Sequence, residues 1–168
     1  SKIFPINFKK QHVDQSIPHY FAFQKYIARL SEWFLKDDCL IYDLGCSTGE
    51  TISQLLKLKI STKYSIIGID NSKKMLDLAQ RKIHKKLNKN KKIKAKFLNY
   101  DLDKVKLKKS NLILSVLVFP FLNYNQRLNL LKKIYKSLES GGAFICVEKI
   151  RASNSTYEDI LNQMYFDF

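Results

Sequence analysis

The chain has 168 residues, enough for one domain with a buried core. Its 30 basic and 15 acidic residues give a formal charge of +15, yet only four of the basic residues are arginines, the side chain suited to bidentate recognition of bases and phosphates. No apolar run reaches the roughly 18 residues of a membrane span, and the start has no signal-peptide apolar region, so a cytoplasmic protein without a membrane partner is expected.

In chain order, Ser16-Ile17-Pro18 reads as a loop, because the residue before a proline resists the α region. Phe23, Ile27, Leu30 and Phe34 recur at helical spacing and predict an amphipathic helix over 20–34. A first strand is expected over 39–44, followed by a glycine loop that opens a helix over 51–58. Strand two is expected over 64–69. Asn71 or Ser72 then caps a helix with a buried stripe of Met75, Leu76, Ala79, Ile83 and Leu87. A short strand follows over 95–99, and the apolar run 112–119 reads as a central parallel strand covered on both faces. Leu128, Leu131, Ile134, Tyr135 and Leu138 mark a helix stopped by Gly141-Gly142. A fifth strand is expected over 143–147, and Ser155-x-x-Glu158 is a capping box for a last helix.

Strands alternating with helices specify an α/β, Rossmann-like doubly wound parallel sheet with helices on both faces. The expected organisation is a single domain over 1–168. Residues 1–36 form a helical segment covering the site, 37–150 the core sheet, and 151–168 the start of a C-terminal helical region. Cys39, Cys46 and Cys146, with three scattered histidines, have no metal-ligand spacing, so neither a disulfide nor a metal site is expected. The densest lysine cluster, 82–96, reads first as a solvated helix end and connection. Direct RNA binding is the sharper alternative.

Chemistry concentrates in Asp43-Leu44-Gly45-Cys46-Ser47-Thr48-Gly49, with Asp70 placed 21 positions after Gly49. Two glycines in a loop after a strand let backbone approach a ligand closely, and a carboxylate at the tip of the next strand can accept both hydroxyls of a ribose. Dinucleotide sites use G-x-G-x-x-G to seat a pyrophosphate, whereas here Ser47 stands where the middle glycine belongs. Asp101 is a third acidic residue near a strand end, so three segments converge on one crevice. Each residue also has a bland alternative. Asp43 could simply hold loop amides, Asp101 shares its neighbourhood with Asp103, Tyr20 could be core, and Glu148 reads as a solvated carboxylate rather than a general base. No nucleophile–histidine–acid constellation is legible, so no catalytic residue is assigned.

The Asp-x-Gly-x-x-x-Gly spacing resembles motif I of the class I S-adenosylmethionine (SAM) methyltransferases. Ser16-Ile17-Pro18-His19-Tyr20, Tyr42-Asp43-Leu44-Gly45-Cys46-Ser47, Ile69-Asp70-Asn71-Ser72, Lys133-Ile134-Tyr135, Gly141-Gly142-Ala143 with Glu148-Lys149, and the last seven residues are similar to the carboxy-SAM synthases of tRNA wobble-uridine modification. The resemblance implies that Tyr20 closes over the ligand and that Gly45, Cys46, Ser47 and Gly49 form the loop at its methionine part. Asp43, in the same motif, is a further candidate contact of the ligand. Asp70 would bind the ribose, Asn71 would flank the adenine, and Asp101 with the Leu102 amide would serve its ring. Where that family has an asparagine near the sulfonium, the alignment places Val116, with Ser115 one register away. The family's carboxylate-binding arginine falls beyond Phe168, so these 168 residues alone are expected to be weak as such a synthase. The ligand implied is SAM, or S-adenosylhomocysteine or carboxy-SAM, and the partner a small-molecule substrate, with a homodimer as the candidate assembly. The alternatives are an ordinary methyltransferase of a small molecule or RNA, and a SAM-binding module without turnover.

Overall fold

Strands with near-continuous apolar character must be buried on both faces, and this requirement organises the sheet. In a computed structural model that describes residues 17–87, 92–150 and 152–166, the chain divides into two compact units, Ser1–Lys25 with Ile150–Phe168, and Tyr26–Lys149. The larger unit holds five strands, β1 (Cys39–Leu44), β2 (Tyr64–Asp70), β3 (Ile93–Asn99), β4 (Ser110–Val116) and β5 (Leu138–Val147). All pair in parallel, in the order β3-β2-β1-β4-β5. β1 and β4 are the most buried, with Ile41, Leu44, Leu112, Ile113 and Leu114 wholly inaccessible. Their order fixes the site, because the winding runs outward through β2 and β3 on one side and through β5 on the other. The order reverses between β1 and β4, and in sheets of this kind ligands bind in the crevice beyond the carboxyl ends of the strands at that reversal.

On one face, Tyr42, Leu44, Ile69, Val105 and Ile113 pack with Leu130 and Ile134. Tyr42 also accepts a hydrogen bond on its hydroxyl from the Lys108 amide at 3.1 Å, which secures the approach to β4. β3 ends the sheet on one side, with Lys94 and Lys96 exposed along it.

Helix α1 (Tyr20–Ser31) continues as a 3-10 turn over Glu32–Phe34. Its buried residues are Gln24, Ile27, Ala28 and Ser31, so the covered stripe is rotated from the expected one and Leu30 lies outside. Ser31 is accommodated there because its hydroxyl donates to the Ile27 carbonyl at 2.7 Å. α2 (Glu50–Leu55) is shorter than expected; the Lys57 and Leu58 amides close three-residue turns that tighten its end. α3 (Lys73–Leu87) buries Leu76, Ala79 and Ile83 as expected.

α4 (Tyr124–Ser137) departs more. It buries Leu130, Ile134 and Ser137 and leaves Leu128, Leu131 and Tyr135 exposed, and it ends before the glycines. Leu138 already pairs with Ser110, and Leu112 next pairs with Ala143, so Gly141 and Gly142 lie in an irregular stretch of β5. A Cβ at Gly142 would stand 2.8 Å from the Asn111 carbonyl oxygen, and Gly141 takes a φ of 74°. These glycines serve strand pairing rather than helix termination. At the other end of α4, Asn123 accepts from the Gln126 amide and Gln126 accepts in return, a capping box not anticipated from the sequence. Asn123→Ala should therefore cost about 1 kcal/mol of stability, measured by urea unfolding.

In the smaller unit, α5 (Ser155–Phe166) is capped one residue earlier than expected: Asn154 accepts from the Tyr157 amide at 3.0 Å. Glu158 turns back to accept from the Ala152 amide at 3.0 Å. Ser16 and the last two residues of the C-terminal resemblance lie outside the described residues.

Candidate functional site

The connection from β1 to α2 turns at Gly45, Ser47 and Gly49, with φ of 68°, 45° and 72°. Left-handed backbone at a serine is uncommon and needs outside support. Asp70, at the end of β2, supplies it. Its Oδ2 accepts from the Ser47 amide and its Oδ1 from the Ser72 amide, each at 2.8 Å. The Cys46 amide donates to the Ile69 carbonyl at 3.0 Å and the Gly49 amide to the Cys46 carbonyl at 2.8 Å. Three amides of the loop are thus engaged within the chain. Gly45 is required by its neighbour, since a Cβ there would fall 2.5 Å from Val118 Cγ2. Gly68 is required likewise, with Cys46 Sγ 2.9 Å from the place of its Cβ.

Beneath the loop, Asp43 is 1% exposed and its Oδ2 has no hydrogen-bond partner. Burial, and secondarily the charge of Asp70, pushes its carboxyl up to about 8, so it carries a proton at neutral pH. The same causes, burial first and then Asp43 and Asp70, push the Cys46 thiol far above its ordinary range, which removes it as a nucleophile.

Further along the strand ends, Asn71 Nδ2 donates to Asp101 Oδ1 at 3.3 Å, which ties the ends of β2 and β3 together. Asp101 lies 3.6 Å from the exposed Lys104 ammonium. Leu102 packs against the apolar core. Ser115, at the end of β4, is fully buried with its hydroxyl unpartnered, while Val116 is half-buried. Tyr20 belongs to the smaller unit, where its ring meets Phe21 and Phe23 edge-on, with centroids 5.4 and 5.2 Å away.

Glu148 differs from the solvated carboxylate expected of it. Its Oε1 accepts from the Val118 and Phe119 amides at 2.9 and 3.0 Å, and its Oε2 is buried without a partner. Nothing local in the sequence announces this, because the amides it holds lie about 30 residues away. Among the described residues no cluster of histidine, cysteine and acidic side chains could hold a metal, and no helix is long and apolar enough to cross a membrane. Three lysines of the 82–96 cluster are spent on internal contacts, Lys82 with Glu50, Lys86 with Ser53 and Lys92 with the Ser61 carbonyl.

Residues 41–142 match the family described as methyltransferase domain. The carboxy-S-adenosyl-L-methionine synthase of Staphylococcus epidermidis is 32% identical over 159 residues, covering 94% of this chain and 66% of that protein. The chain spans slightly less than two thirds of the length of the curated relatives it matches. Among solved structures, an S-adenosylmethionine-dependent methyltransferase from Clostridium acetobutylicum superposes with a TM-score of 0.61 at 21% identity, over 81% of this chain and 52% of that one. The plantazolicin methyltransferase BpumL in complex with SAH does so with a TM-score of 0.59 at 19% identity, over 92% of this chain and 60% of that one. Both share the doubly wound sheet.

Proposed function

Given that the chain belongs to the methyltransferase-domain family, we propose that the β1–β4 crevice binds SAM and that the protein is a SAM-dependent transferase of the carboxy-SAM synthase kind. The engaged loop carries this reading. Its amides at Cys46, Ser47 and Gly49 are committed within the chain, and Ser47 stands where a dinucleotide loop has its middle glycine, so the loop offers a pyrophosphate less than an open G-x-G-x-x-G loop does. A nucleoside without phosphates fits such a loop. Each oxygen of Asp70 accepts one amide and retains a second lone pair, which suits a pair of ribose hydroxyls.

In this assignment Gly45, Cys46, Ser47 and Gly49 line the methionine part, and Asp43 with the unpartnered Ser115 hydroxyl lies beneath it. Asn71, Asp101 and the Leu102 amide serve the adenine, and for Tyr20 the resemblance alone supports a part in binding. SAM supplies an electrophilic carbon on a sulfonium. The chain's own residues need only fix its orientation and exclude water, so a nucleophilic side chain is not required. The resemblance further supports a small carboxylate donor such as prephenate, a role in wobble-uridine modification in the cytoplasm, and a homodimer. Contact with RNA through residues 82–96 is a subordinate reading.

Thermal-shift measurements test the cofactor. S-adenosylhomocysteine should raise the melting temperature and NAD should leave it unchanged, because ligand binding to the native state stabilises by mass action. Stabilisation by NAD alone would overturn the assignment.

A further inference from the structure

The chain leaves β4 through a strained turn. Leu117 takes a φ of 57°, a conformation that costs a residue with a Cβ about 1 kcal/mol and persists only where its surroundings enforce it. The partners of its amides come from the end of β5. The Leu117 amide donates to the Val147 carbonyl at 2.8 Å, and the next two amides, of Val118 and Phe119, both donate to Glu148 Oε1. Three consecutive N–H groups are thereby drawn to two consecutive residues. The held segment includes Val118, whose side chain occupies the space over Gly45 that a Cβ would need. Glu148 Oε2 is left buried and unpartnered, a cost that a residue serving stability alone would not carry.

We propose that Glu148 is a positioning residue of the cofactor crevice: by holding the Val118 and Phe119 amides it sets Val118 against Gly45 and fixes the glycine loop in its binding shape. This rests on the SAM reading of the crevice. It makes the reach of the side chain, rather than its charge, the property that matters. Glutamine has the same reach and keeps one carbonyl oxygen that can accept from both amides. Aspartate keeps the charge and loses one methylene, so its carboxylate falls short of them.

The experiment is titration of the chain with S-adenosylhomocysteine, with melting temperatures recorded alongside. Glu148→Gln should bind within about threefold of wild type, and Glu148→Asp should bind about tenfold more weakly. In a Val118→Ala background, where the contact over Gly45 is removed, Glu148→Asp should lose less than about threefold, a coupling that a general loss of stability would not produce. Equal loss in the Gln and Asp variants, unchanged affinity in the Asp variant, or an undiminished loss in the Val118→Ala background would each overturn the proposal. Failure of the wild-type chain to bind would overturn the SAM reading instead.

Discussion

Asp70→Ala should bind S-adenosylhomocysteine more weakly than wild type by about 2 kcal/mol or more, roughly thirtyfold, in isothermal titration. The substitution removes a charge-assisted acceptor for the ribose hydroxyls. It also releases the Ser47 and Ser72 amides together, because one carboxylate serves both at 2.8 Å. Ser47 then has no partner to offset its φ of 45°, and the loop loses the constraint that shapes it for a ligand. Asp70→Asn should recover little. Its amide offers a single acceptor oxygen and directs its NH2 group at one of the two amides that the carboxylate satisfied. Wild-type affinity in Asp70→Ala would remove this residue from the site.

Asp43→Asn should change the pH dependence of stability more than any substitution at the surface. The Asp43 carboxyl titrates near 8 in the folded protein, raised first by burial and second by Asp70, against an ordinary value of 3.8. The folded state therefore holds a proton that the unfolded state releases. Between about pH 4 and pH 8 this group makes stability fall as pH rises, by up to about 1.4 kcal/mol per pH unit, and above that window its contribution is level. The stabilising contribution is complete below the unfolded value and is lost by the folded one. Asparagine is close in shape and does not titrate, so the variant should lack this component. Urea unfolding of both proteins from pH 5 to pH 9 measures it, with wild type losing ground steadily relative to the variant up to about pH 8. Parallel stability profiles would show that Asp43 is ionised in the folded protein.

The strands and the loop between β1 and α2 were legible because each depends on local chemistry. Cys39–Leu44 and the onset of β2 at Tyr64 follow from apolar runs, and Gly45 and Gly49 stand where positive φ is needed. Helix faces were less legible. On α1 apolar spacing favoured Leu30, whereas Gln24 and Ser31 are buried, Ser31 by bonding its own helix backbone. Gly141-Gly142 has the composition of a helix stop, but the helix has already ended at Ser137; Gly142 answers to β4 carbonyls and Gly141 to a φ of 74°. Glu148 is illegible for the same reason: it sits at a strand end beside the exposed Lys149, while the amides it holds, of Val118 and Phe119, lie about 30 residues earlier in the chain. Side chains whose meaning comes from distant backbone are the ones that periodicity cannot assign.

The two borders of the sheet are unlike. On β3, Lys94 and Lys96 stand exposed along the outermost strand, and bringing another strand alongside would press like charges together or bury them. On β5, the run Ala143-Phe144-Ile145-Cys146-Val147 carries no charge and no proline. The two borders thus differ in charge: the β3 border carries lysines that disfavour a further strand, and the run at the β5 border carries none. The uncharged border is also the one whose last residues, Val147 and Glu148, hold the turn after β4, so the strand that lacks charged protection at its edge is the one that shapes the glycine loop.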